Sequence, residues 1–212
     1  MADATTETKP LSLRERQRAE REVLILAEAE RLLSAEGYEG LVLDRLADLV
    51  GVSKGTLYQH FANKEDLVGA VILQGMARLD ALLATQIAAG DRPVAERLGA
   101  VLASMIEGDF AWMSTVTGPQ KHALADALRD HPGLREAYLR FFDGLCTLIR
   151  HGQTGGEFDP AFPAPTAARF LLALVQAQGA RTLPGEAPLD KQAAAALAVR
   201  FYVRGLRTQP TR

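Results

Sequence analysis

The sequence predicts an all-α protein: an N-terminal three-helix helix-turn-helix domain followed by a C-terminal helical bundle, about nine helices in all. Three observations carry that expectation. Apolar residues recur at spacings of three and four over long stretches, the period of a helix with one buried face. No period-two run bounded by hairpin signals occurs, so no sheet is expected. Glycine and proline clusters cut the chain into helix-length segments, at Gly90-Asp91-Arg92-Pro93, Gly118-Pro119, His131-Pro132-Gly133, the span 152–165 and Leu183-Pro184-Gly185.

Taken in order, residues 20–36 place Ile25, Ala29, Leu32 and Leu33 on one stripe, and Gly37 ends the segment at a C′-like position. Short helices are predicted at 43–50 and 54–60, with a tight turn at Gly51 between them. Asn63, with Asp66 three residues on, makes a capping-box-like start to a long helix from Lys64 to Ala88. Further helices are expected at 94–108, 120–129, 133–151, 164–181 and 190–206. The domain division that follows is a flexible basic arm at 1–19, a small helical domain at 20–62, and a larger helical domain at 63–212.

The stretch 51–67, GVSKGTLYQHFANKEDL, is the most informative. In a helix-turn-helix a small residue lets two helices cross closely, and a glycine about four positions later makes the turn. Ala47 and Gly51 fit that spacing, and Leu46, Val50, Val52, Leu57 and Phe61 supply the apolar contacts beneath. Ser53 is placed to cap the second short helix. Gly55 costs about 1 kcal/mol inside a helix, but lets backbone approach a partner. Lys54, Thr56 and Gln59 are candidates for base edges or phosphate, and Gln59 favours adenine by bidentate geometry. Lys64 adds its charge to the positive end of the long helix, a natural phosphate site.

With those residues in view, the chain resembles the TetR family of bacterial transcriptional regulators. The resemblance is specific over roughly residues 20–70, in Gly37-Tyr38, Leu46-Ala47, the run Gly51 to Tyr58, His60-Phe61 and Asn63-Lys64-Glu65-Asp66-Leu67. It implies a TetR-like fold and a homodimer presenting two helix-turn-helix units to a palindromic operator in double-stranded DNA. It also implies a small-molecule effector that binds the C-terminal domain and releases the DNA. Tyr58 and His60 resemble the family's phosphate-contacting positions. One departure is the region before the first motif helix, Gly40-Leu41-Val42-Leu43-Asp44, which lacks the family's usual Ser or Thr. Asp44 is then left as the cap, and Arg45 is expected to compensate electrostatically near phosphate.

Composition bounds the alternatives. At 212 residues and 48% apolar the chain can bury a core in one or two domains. Its formal net charge is −2, and residues 1–66 hold 9 Lys/Arg against 13 Asp/Glu, an unusual balance for a DNA-binding unit. Placement counts for more than the total, because only charges near phosphate release counterions. Residues 9–21 carry Lys9, Arg14, Arg16, Arg18 and Arg21 against Glu15 and Glu20, and residues 51–64 contain Lys54 and Lys64 with no acid. The N-terminus lacks an apolar signal segment and no apolar run approaches a membrane span, so a soluble cytoplasmic protein without a membrane partner is expected.

The lone Cys146 excludes an internal disulfide framework, and His60, His122, His131 and His151 form no metal-ligand spacing with one another or with it. No glycine-rich phosphate loop, nucleophile elbow or paired carboxylates appear, so no catalytic residue, cofactor or metal is expected. For the effector, Met76, Met105, Phe110, Trp112 and Met113 are the candidate lining, with Phe141, Phe142, Phe170 and Gln176. Adaptable methionines and large aromatics suit a pocket between helices, and a buried Gln176 amide needs a partner. The last two helices, carrying Ala167, Phe170, Leu171, Leu174, Val175 and Gln178, then Ala193, Ala194, Leu197, Phe201 and Gly205, are expected to form the dimer interface. Two other classes remain open at this point: a ligand-independent architectural DNA binder and an all-α enzyme.

Overall fold

The structure, a computed structural model, describes residues 12–108, 131, 133–178 and 190–208, without the Gln178 side chain. Within them lie α1 (Leu13–Gly40), α2 (Leu43–Val50), α3 (Lys54–His60), α4 (Lys64–Ala88), α5 (Val94–Glu107), α6 (Leu134–Thr154), α7 (Ala164–Gln178) and α8 (Lys191–Leu206). Among the described residues the only extended pairing is an isolated bridge between Phe158 and Arg207. The expected helix at 120–129 and the candidate residues Phe110, Trp112 and Met113 lie outside the described residues.

The expected flexible arm at 1–19 is corrected in part. The chain is helical from Leu13, because Ser12 and Glu15 form a full capping box: Ser12 Oγ accepts from Glu15 N at 3.3 Å, and Ser12 N donates to Glu15 Oε2 at 2.7 Å. The Ser-x-x-Glu spacing was the available signal. At the other end, Gly37 takes φ 70° and ψ −173°, a region that L side chains avoid, and kinks α1 where the sequence placed its stop.

α1, α2 and α3 form a small N-terminal unit whose inner residues, Ile25, Ala29, Leu32, Leu46, Ala47 and Leu57, are all buried. α4 leaves this unit and packs extensively on α6; α5 packs likewise on α8, and α7 on α6. Over its most apolar window α4 is long and apolar enough to cross a membrane, which amends the expectation that no segment is. Half of that window is buried inside the fold, as befits a core helix with two packing faces.

The α4–α5 corner is built on helix-end electrostatics. Arg97, buried, donates Nη1 to the Gln86 carbonyl at 3.0 Å and the Ile87 carbonyl at 3.4 Å, in the last turn of α4. A cation there meets orphan carbonyls and the negative dipole end. Across the corner, the Glu157 carboxylate accepts from Val94 N (2.7 Å) and Ala95 N (3.0 Å), capping the positive end of α5.

Candidate DNA-binding surface

α2 and α3 are joined by the predicted turn. Gly51 is left-handed (φ 74°, ψ 33°), and the Val52 amide closes back on the Ala47 carbonyl at 3.0 Å. Ser53 caps α3: its Oγ accepts from Thr56 N at 3.1 Å and lies 2.9 Å from Thr56 Oγ1. Only Leu57 of α3 is buried; Lys54, Gly55, Tyr58 and Gln59 are exposed and Thr56 is half-buried. α3 therefore lies on the surface, anchored by one leucine and by Phe61 just beyond it.

Gly55 has no internal reason to be glycine. A Cβ built there would meet only Ser53 Oγ, at an ordinary 3.8 Å. The residue gives up helix propensity without relieving any clash inside the fold.

Two of the cations expected on this face, Lys54 and Arg45, have carboxylate partners. Lys54 Nζ lies 2.5 Å from Asp44 Oδ2, which raises the pKa of the ammonium chiefly through that hydrogen bond. The Arg45 guanidinium forks onto Glu36, Nη1 to Oε2 at 2.6 Å and Nη2 to Oε1 at 2.8 Å. One expectation is corrected here. Asp44 does not cap α2, whose N-cap is Val42 with no side-chain bond; its carboxylate is drawn to the lysine ten residues on. Arg45 stays at the surface, where Glu36 offers both oxygens to its planar fork.

His60 is also corrected. Its side chain is only 4% exposed, with Nδ1 3.4 Å from Glu22 Oε2, so it faces α1 rather than the open side of α3. The imidazole is held there between Glu22 and the neighbouring Phe61 ring, 6.2 Å away. Arg18 from α1 reaches the same end of α3, donating to the Gln59 carbonyl at 3.3 Å. Sequence reasoning missed this contact, which only the α1–α3 crossing creates.

At the start of α4, Asn63 Oδ1 accepts from Asp66 N at 2.7 Å. Lys64 is half-buried, its Nζ 4.0 Å above the Tyr38 ring, and Tyr38 donates its hydroxyl to Glu65 Oε1 at 2.7 Å. Lys64 thus sits beside the motif on an aromatic face.

The candidate effector residues disperse. Met76, Met105 and Phe141 are buried in the bundle core. Phe142 is half-buried, stacked on Tyr138 with the Arg169 guanidinium 5.6 Å from its ring centroid. Gln176 is exposed, which overturns its expected burial: the α7 face that packs inward carries Ala167, Ala168, Leu171 and Val175 instead. Those inward residues are core and leave the predicted dimer face to others. Phe170 (57% exposed), Leu197 (44%) and Phe201 (73%) border an open groove of about 940 Å³ along α7 and α8. Gly205 lies in it with no atom within 4 Å of an added Cβ. Cys146 is buried in α6, its thiol pushed up by burial.

A capped surface helix after a left-handed glycine turn, carried on an all-helical body, defines a helix-turn-helix DNA-binding protein. Residues 25–71 match the bacterial regulatory proteins of the tetR family. The transcriptional regulator TcmR of Streptomyces glaucescens is 29% identical over 176 residues, covering 79% of this chain and 73% of TcmR. The nucleoid occlusion factor SlmA of Actinobacillus pleuropneumoniae is 33% identical over 153 residues, 68% of each chain. The crystal structure of the transcriptional regulator FadR from Bacillus subtilis, in complex with stearoyl-CoA, superposes with a TM-score of 0.66 at 19% identity, covering 87% of this chain and 99% of FadR, a likeness of fold. The chain belongs to the TetR family of bacterial transcriptional regulators. It is a DNA-binding regulator.

Proposed function

We propose that the protein is a homodimeric repressor that reads a palindromic operator with α3 and is released by a mostly apolar effector. Residues 20–62 form the DNA-reading unit, extended by the capped start of α1, and residues 63–212 the effector-binding and dimerisation domain. Ser53, Lys54, Gly55, Thr56, Tyr58 and Gln59 make the recognition surface, with Arg45 and Lys64 at its margin. The observation that carries this proposal is Gly55: a glycine in an exposed helix with open space where its side chain would be, a cost explained if a backbone partner comes close. The exposed Phe170, Leu197 and Phe201 support an isologous contact of α7 and α8 with a second copy, since an apolar patch of this kind marks an interface.

The effector assignment rests on the buried Met76, Met105 and Phe141 where α4, α5 and α6 meet, and on FadR, a protein of this fold seen with an acyl-CoA. Release follows if the effector binds better to a dimer whose two α3 helices are off the one-turn operator spacing, roughly 34 Å. A tenfold loss of DNA affinity then needs about 1.4 kcal/mol of differential binding.

Selection of duplexes from a random-sequence library tests the proposal. The expected product is a palindrome occupied by two protomers in sedimentation; a pool without sequence enrichment would overturn operator recognition. The kinship with a nucleoid occlusion factor supports a second reading, a DNA-bound protein whose output is not transcription. That reading predicts an enriched palindrome but no effector-dependent release.

A further inference from the structure

The Lys54–Asp44 pair places a carboxylate of the first motif helix on the leading cation of the recognition helix. Both side chains are solvent-accessible (62% and 56% exposed), so the contact is not forced by burial. Residues 51–64 contain no acid, and α2 supplies the partner across the turn. A lysine ammonium has three donors, and Asp44 Oδ2 takes one. Two remain.

Those two donors face a choice that the carboxylate biases. A neutral acceptor on a base edge, such as the O6 or N7 of guanine, can share the ammonium with Asp44 without bringing anions together. A phosphate cannot: it must either displace the carboxylate or sit beside it as a like charge, and the freed Asp44 then draws back a counterion. Non-specific binding is built almost wholly on phosphate contacts, so it bears this repulsion, whereas base reading does not.

We propose that Asp44 is a specificity-determining residue, which holds Lys54 as a reader of neutral base acceptors and keeps it from acting as a phosphate clamp. Building on the DNA-reading role assigned to α3, the proposal also gives a reason for an acidic residue on the surface of a unit that must approach a polyanion. Glu36, forked onto Arg45, acts in the same direction at the margin.

The experiment compares the intact wild-type protein with Asp44→Asn on two duplexes of equal length, the one most enriched from the random library and a shuffled control, across a salt series. Asp44→Ser serves as a second uncharged variant, separating the loss of charge from any bond of the new amide. The expected result is tighter binding of the shuffled duplex by roughly three- to tenfold, with a salt slope steeper by about one unit. Binding of the enriched duplex should tighten by less than about twofold, so the specificity ratio falls. In a Lys54→Ala background the same substitution should leave the ratio unchanged. Equal tightening on both duplexes, no change on the shuffled one, or the same fall in ratio without Lys54 would each overturn the proposal. An enriched duplex with an unchanged ratio sinks the role of Asp44 alone; no enriched duplex at all overturns the role of α3 with it.

Discussion

Tyr38 donates its hydroxyl to Glu65 Oε1 at 2.7 Å, tying the kinked end of α1 to the first turn of α4. The bond joins the N-terminal unit to the helix that enters the bundle, and Lys64 stacks on the same ring. Burial and the Glu65 carboxylate push the phenol pKa up, and the hydroxyl in turn holds the Glu65 carboxyl below its usual value.

Tyr38→Phe should therefore destabilise the protein by about 1 kcal/mol at neutral pH, the usual worth of such a bond. The sign with pH follows from the lowered carboxyl. Glu65 contributes stability above the ordinary carboxylate range and loses it as pH falls through its depressed folded value. Denaturant titrations of both proteins should show a gap at pH 7 that narrows steadily toward pH 3. A gap independent of pH would mean that the hydroxyl's contribution does not depend on the charge of Glu65.

Gly55→Ala should raise stability by up to about 1 kcal/mol, because alanine is the better helix former and its methyl finds open space. DNA affinity should fall at the same time, by tenfold or more, as the methyl holds the backbone off its partner. Thermal melts and binding isotherms on one preparation separate the two effects. A stabilised variant with full affinity would remove Gly55 from the interface.

Phe201→Asp should turn the dimer into a monomer without unfolding the protomer. The ring is 73% exposed on the isolated chain, so the substitution removes nothing from the core. Burying each phenyl in a dimer is worth about 1.5–3 kcal/mol, and the two-fold axis counts it twice. Sedimentation should show dimer association weakened by roughly two orders of magnitude or more relative to wild type, with circular dichroism unchanged. Gly205→Leu, which fills the same groove, should act in the same direction.

Arg97→Met should cost about 2 kcal/mol, since the last-turn carbonyls of α4 at Gln86 and Ile87 lose a buried charged donor. The loss should be smaller than breaking a complete buried pair, because Arg97 Nε has no partner among the described atoms and already carries a desolvation penalty. Equilibrium unfolding in urea measures it. A neutral outcome would mean that water serves the carbonyls once the guanidinium is gone.

The sequence alone determined the helices among the described residues, because what sets them is local. Gly51 must turn, Ser53 and Asn63 must cap, and the apolar stripe of residues 20–36 can only be one face of a helix; each depends on neighbours within four positions. The start of α1 at Leu13 was equally local, written in Ser12 and Glu15. What the tertiary structure decided is where side chains distant in sequence meet. Lys54 against Asp44, His60 turned toward Glu22, Arg18 on the Gln59 carbonyl and Glu157 on the start of α5 each join residues from different elements. The same holds for α7, where helical period marks an apolar face at Ala167, Phe170, Leu171 and Val175 but cannot divide it between core and surface. That division follows from the angle at which α7 crosses α6 and α8, a quantity set by packing across the whole bundle and by no residue on its own.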